Sequence, residues 1–217
     1  MSTRIKICGC TSWEDARLAA DLGADAIGFI LAPSPRSVDP QTAHDICRRL
    51  PPHIDRVGVF VDASPGELIS LAQSIGLSRV QLHGAEPVTL ARQIPMPVSR
   101  SLVGPPAPAR SLANLWREAR PDVHFLLDLP KDETHGSEDE APGPLWSGWK
   151  ALVDELDATV AGGLRPDNVA RALEVLRPSA VDVARGVERS PGVKDPERMR
   201  GFVEAVHRFD QQGGKSR

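Results

Sequence analysis

The sequence predicts an α/β protein folded as a single (βα)8 barrel of the TIM type, and three observations carry that expectation. Eight apolar runs of strand length recur along the 217 residues, each followed by a stretch with helical spacing. The runs are nearly continuous in apolar residues rather than alternating, the pattern of parallel strands buried on both faces. Composition does not change sharply along the chain and no linker divides it, so the units belong to one body. An open doubly wound sheet shares the first two features, and 217 residues is short for a closed barrel, but eight units favour closure.

In order, the strands are IKICG, AIGFIL, RVGVFV, RVQLHG, PVSRSLV, HFLLDL, TVAGGL and AVDVARG. Between them lie helical stretches such as SWEDARLAADLG, QTAHDICRRL, PGELISLAQSIG, SLANLWREAR and PDNVARALEVL. Leu68, Leu71, Ala72 and Ile75 show the spacing of three and four residues, and several stretches open with Ser, Asp or Pro and close at Gly. The barrel is expected over residues 1–210, with 211–217 as a frayed tail. The acidic, Gly/Pro-rich KDETHGSEDEAPGPL after the sixth strand reads as a mobile loop.

Composition removes several classes of function. A net charge of −3 gives no basic field, so neither nucleic acid nor an anionic membrane has electrostatic support as a partner. No run approaches the roughly 18 apolar residues of a membrane span. The first residues lack the apolar core of a secretory signal. Three cysteines, an odd number, argue against a disulfide framework and for a reducing cytoplasm.

In a barrel of this kind the site forms where the carboxyl ends of the strands meet their loops. Cys8 ends the first strand, Arg36 lies in the loop after the second, His83 ends the fourth and Asp128 ends the sixth. Asp128 follows Phe125, Leu126 and Leu127, a setting that disfavours the charged carboxylate and suits a proton donor. Gly162 and Gly163 end the seventh strand, and Gly186 follows the eighth. Glycines let backbone approach a ligand closely, amides at a helix start favour an anion, and the last two loops of such barrels often hold a phosphate. A small phosphorylated metabolite is the substrate class that follows.

KICGCT, GFILAPSPRSV, VGVFVD, VQLHG, LLD, VAGGLRPDNV and VDVARGVERSPGVKD resemble, in order, the motifs of phosphoribosylanthranilate isomerase over nearly the whole chain. The resemblance implies a (βα)8 enzyme of tryptophan biosynthesis, an aldose-ketose isomerase that needs no metal or organic cofactor. It implies Asp128 as general acid on the ribose ring oxygen and Cys8 as the base that takes the C2 proton. Arg36 would hold the anthranilate carboxylate, and the backbone around Gly162, Gly163 and Gly186 would bind the phosphate; His83, from its strand-end place alone, is a substrate-binding candidate that reads equally as a wall or hydrogen-bonding residue and as a proton carrier. Such an enzyme would be cytoplasmic, as a monomer or homodimer. A thiol acting as base calls for a lowered pKa.

The chain departs from the family pattern at three places. Cys10 replaces a Leu, APGPLWSGW replaces a Gly-rich run in the loop over the substrate, and Arg185 stands where Ser is usual beside the phosphate. Arg185 either adds a phosphate contact or selects a different ligand. Two alternatives therefore stay open: a paralogue isomerising another phosphorylated amino-sugar, and a non-catalytic phosphate-binding barrel. A Cys8-x-Cys10 metal site lacks a completing cluster. Cys10 reads as a spectator, Cys47, Trp146 and Trp149 as packing, His135 as solvated and Asp182 as structural.

Overall fold

A computed structural model of the protein describes residues 2–129 and 146–213. Eight parallel strands close into a barrel in chain order: β1 (Arg4–Cys8), β2 (Ala26–Ile30), β3 (Asp55–Phe60), β4 (Arg79–Leu82), β5 (Val98–Val103), β6 (His124–Asp128), β7 (Thr159–Ala161) and β8 (Ala180–Val183). All eight apolar runs are strands of this one sheet. Closure comes from β1 against β8, with Lys6 opposite Asp182 and Ile7 opposite Val183.

Helices wrap the outside: α1 (Trp13–Asp21), α2 (Pro40–Arg49), α3 (Pro65–Ile75), α4 (Pro106–Ala119), α5 (Lys150–Leu156), α6 (Val169–Leu176) and α7 (Pro196–Gln211). Their starts follow from side-chain chemistry. Ser12, Asp39 and Ser64 each accept a hydrogen bond from the amide three residues on, and Asp195 caps α7 through the amides of Glu197 and Arg198. Gly76 ends α3 in the left-handed region at φ 78°. α7 runs to Gln211, so the expected tail begins within a helix; residues 214–217 and the expected loop at 131–145 lie outside the described residues.

The fourth unit has no α-helix. Between β4 and β5 the chain makes only a 3-10 turn, Val88–Arg92, because Pro87 and Pro95 bracket a segment too short for more. Arg100 donates to Glu86 at 2.6 Å and to the carbonyls of Leu82 and Gly84, and its guanidinium lies 5.2 Å from the ring of fully buried Trp116. Glu86 in turn accepts from the amides of Asp62 and Gly84. One buried ion pair thus ties the loops after β3 and β4 to β5.

Strand side chains alternate between two environments. Ile5, Ile7, Ile27, Phe29, Leu82, Phe125 and Leu127 pack outward under the helices, while Lys6, Gln81, Ser99, Ser101, Thr159 and Asp182 are buried and polar. The polar set partners itself: Lys6 with Asp182 at 3.0 Å and Gln81 with Ser101 at 3.3 Å. Gln81 and Leu126 separate two cavities, one at each end of the barrel. The chain's first and last elements meet where Thr3 donates through its amide and hydroxyl to Asp210.

Removing the counter-ion of Arg100 tests this buried pair. Glu86→Ala should destabilise the fold by about 3–5 kcal/mol, the usual cost of stranding a buried charge. Urea denaturation of the two proteins reads it; a loss under about 1 kcal/mol would mean that water reaches Arg100.

Candidate active site

The cavity at the carboxyl ends of the strands has a volume of about 430 Å³, and all eight residues singled out from the sequence line it: Cys8, Arg36, His83, Asp128, Gly162, Gly163, Arg185 and Gly186. The cavity at the other end, about 280 Å³, is lined by Arg4, Arg79, Asp55 and His124 among others. Its charges pair locally, Asp55 lying 3.3 Å from Arg4 and 3.8 Å from Arg79. Burial pushes His124 down to about 4, so that ring is neutral. That end carries local pairing, and the end with the glycine loops gathers the residues singled out from the sequence.

Cys8 is the last residue of β1, and its thiol lies over Gly28 of β2. A Cβ at position 28 would come within 2.7 Å of Sγ, so this neighbour has to be glycine. The thiol differs from the expectation of a lowered pKa: burial pushes it up, with Asp182 adding to the effect and Lys6 and Lys194 opposing it. Lys6 sits two residues earlier on the same face; burial works to lower its pKa, but Asp182 and Cys8 carry it up to about 12. The thiol is therefore protonated at rest, with a fixed cation beside it. Cys10 and Cys47 are both buried and pushed up to about 12, chiefly by burial.

Asp128 closes β6, partly exposed, with Oδ2 3.6 Å from His83 Nε2. His83 Nδ1 is buried without a hydrogen-bond partner among the described residues. Arg36 is held on one edge only: Nε donates to Glu188 at 2.8 and 3.0 Å, while no described residue accepts from its two Nη groups.

The glycine loops are packed backbone to backbone. Gly162 and Gly163 both have positive φ, 96° and 67°, and a Cβ on Gly162 would overlap the backbone of Leu129. A Cβ on Gly186 would overlap the Leu164 carbonyl, so the loops after β7 and β8 touch directly. Asn168 fastens the first of them, accepting from the Arg165 amide and donating to the Gly163 carbonyl. Arg185 opens a 3-10 turn, is exposed, and makes no ion pair with a described residue.

The sequence reading passed over Lys6, Glu188 and Lys194. A lysine inside an apolar strand, and another before an Asp helix cap, were the available signals. Trp146 and Trp149 are buried packing residues, as expected, whereas His135 lies outside the described residues. Among the described residues no cluster of His, Cys, Asp or Glu suits a metal ion.

The profile of the family described as N-(5'phosphoribosyl)anthranilate (PRA) isomerase matches residues 5–205. The N-(5'-phosphoribosyl)anthranilate isomerases of Chlorobium luteolum and Syntrophus aciditrophicus are 42% and 40% identical to the chain. The first match covers 94% of this chain and 97% of the relative, the second 95% and 88%. The crystal structure of phosphoribosyl anthranilate isomerase from Thermotoga maritima superposes with a TM-score of 0.83 at 36% identity, covering 94% of this chain and 98% of that one. A structure of such an isomerase in complex with reduced 1-(o-carboxyphenylamino)-1-deoxyribulose 5-phosphate gives 0.81, at the same identity and coverage. A closed barrel whose strand ends gather these residues, together with likeness over nearly its full length, means that the chain belongs to the phosphoribosylanthranilate isomerase family.

Proposed function

We propose that this protein isomerises N-(5'-phosphoribosyl)anthranilate to 1-(2-carboxyphenylamino)-1-deoxyribulose 5-phosphate, with Asp128 and Cys8 as acid and base. The observation that carries the proposal is the single cavity shared by a carboxyl, a thiol with an adjacent cation, a half-free arginine and two glycine loops. Asp128 gives its proton to the ribose ring oxygen; the C1–O bond breaks and the anilino nitrogen lone pair forms the iminium. The Cys8 thiol first loses its proton to solvent; as thiolate, a form the Lys6 ammonium favours, it takes the C2 proton, and those electrons neutralise the iminium to give an enolamine. In the tautomerisation C1 gains a proton and the C2 hydroxyl loses one, which gives the ketone. The enzyme uses positioned proton transfer and supplies no redox reagent.

The remaining residues bind. Arg36 offers its free guanidinium edge to the anthranilate carboxylate. The backbone of the Gly162–Gly163 and Gly186 turns receives the phosphate, and Arg185 adds a cation there. His83 orients Asp128 across their 3.6 Å contact. Three free cysteines fit a cytoplasmic protein.

The direct test is an assay of the purified protein with freshly made phosphoribosylanthranilate, in which formation of the ketose is the expected result. Cys8→Ser and Asp128→Asn should each lower kcat by about two orders of magnitude or more with the fold intact, as loss of positioned proton transfer does. Turnover near wild type in either variant would take that residue out of the scheme.

The pH profile tests the cation beside the thiol. Activity requires the thiolate, so kcat/KM should rise as pH passes the Cys8 pKa. Lys6→Met removes the charge that favours the thiolate and should move that rise to higher pH. Asp182→Asn removes a charge that opposes it and should move the rise the other way. Shifts in one direction for both variants would point to structural damage instead.

Arg185→Ser tests the departure from the family pattern. If the arginine holds the phosphate, KM should rise about tenfold or more with kcat little changed. A gain in activity would instead show that Arg185 turns the cavity toward another phosphorylated amino-sugar.

A further inference from the structure

Behind Arg36 lies a buried group of charges that the catalytic scheme does not use. Glu188, in the short strand β9 (Glu188–Ser190), has its side chain 3% exposed, and Lys194, in β10 (Val193–Lys194), has none of its side chain exposed. Glu188 Oε1 accepts from Lys194 Nζ at 3.0 Å while both its oxygens accept from Arg36 Nε. Lys194 spends its other protons on the Cys8 carbonyl at 2.6 Å and the Ala184 carbonyl at 3.2 Å. One ammonium thus joins the end of β1, the segment after β8 and the hairpin that carries Glu188.

The charges add up to a reason for the arrangement. An arginine paired with a carboxylate of its own is neutralised and has little attraction left for a second carboxylate. Two cations sharing one anion leave a net charge of +1, and of these three residues Arg36 is the one that lines the cavity. We propose that Glu188 and Lys194 are positioning residues for Arg36: Glu188 fixes the direction of the guanidinium, and Lys194 cancels Glu188 so that the arginine keeps its full charge for the aryl carboxylate. Although burial works against it, Arg36 and Lys194 hold the Glu188 carboxyl below its usual range, so the anion persists at working pH.

The proposal rests on Arg36 as the carboxylate contact, and it makes the hairpin a specificity element that acts without touching substrate. Gly192, whose φ is 79°, permits the tight turn between β9 and β10; a Cβ there would press within 3.3 Å of the Pro35 carbonyl, so the hairpin lies directly against the Arg36 loop.

The test compares binding of two inhibitors: reduced 1-(o-carboxyphenylamino)-1-deoxyribulose 5-phosphate and the same compound without its carboxylate. Wild type should prefer the first. Glu188→Gln keeps the shape but loses the charge and the second strong acceptor, and should weaken the carboxylated inhibitor about tenfold while changing the other less than about twofold. In an Arg36→Ala background, Glu188→Gln should add nothing to either. Equal weakening of both inhibitors, or an effect that survives in the Arg36→Ala background, would overturn the positioning role while leaving the proposed reaction standing. If wild type itself does not distinguish the inhibitors, Arg36 is not the carboxylate contact, and both that assignment and this proposal fall. Should Glu188→Gln fold poorly, Glu188→Gln/Lys194→Met replaces the charges by a neutral pair of similar volume and carries the same comparison. Preference retained in that folded double variant would also overturn the role.

Discussion

The seam between β1 and β8 is the constraint on which the rest of the molecule depends. Pairing there turns a curled sheet into a ring, and the Lys6–Asp182 contact of 3.0 Å spans it inside the barrel. A buried ion pair contributes little net stability over well-packed apolar side chains, because desolvating both charges offsets most of their attraction. Its value lies in register. A slip of one residue would send Lys6 outward under the helices, turn Ile5 and Ile7 into the interior and leave Asp182 there without its partner. With the register held, Cys8 falls over Gly28, and the ammonium falls beside the thiol.

Much of this was legible in the sequence, and the failures have physical causes. Apolar runs reported all eight strands, since outward positions such as Ile7, Phe29 and Leu127 are uniformly large and apolar. Glycines and reactive residues at strand ends reported the cavity, because loops at that end have no packing reason to carry them. The absent fourth helix was harder to see: a segment bounded by Pro87 and Pro95 has helical composition without the length. Lys6, Glu188 and Lys194 escaped for a different reason. A buried charge looks like a surface charge until its partner is known, and the partner of Lys6 is 176 residues away. The raised thiol pKa was missed similarly, since burial at a strand end comes from the whole barrel.

The two ends of the barrel divide the work. At one end, Arg4 and Arg79 both lie against Asp55, at 3.3 and 3.8 Å. At the other, the cavity holds charges turned half away from their partners: an arginine bound by one edge, and an exposed Arg185.

Ring closure also sets a timetable for synthesis. β1 needs β8 as its second neighbour, and Thr3 needs Asp210. A ribosome adding about 5–20 residues per second leaves the strand that carries Cys8 as an open edge for on the order of ten to thirty seconds before its last partner emerges. Its charged Lys6 serves in that interval as a gatekeeper, since a charge within an unpaired strand discourages pairing with the edges of other chains. The same lysine that later sits beside the thiol keeps the newborn strand available for it.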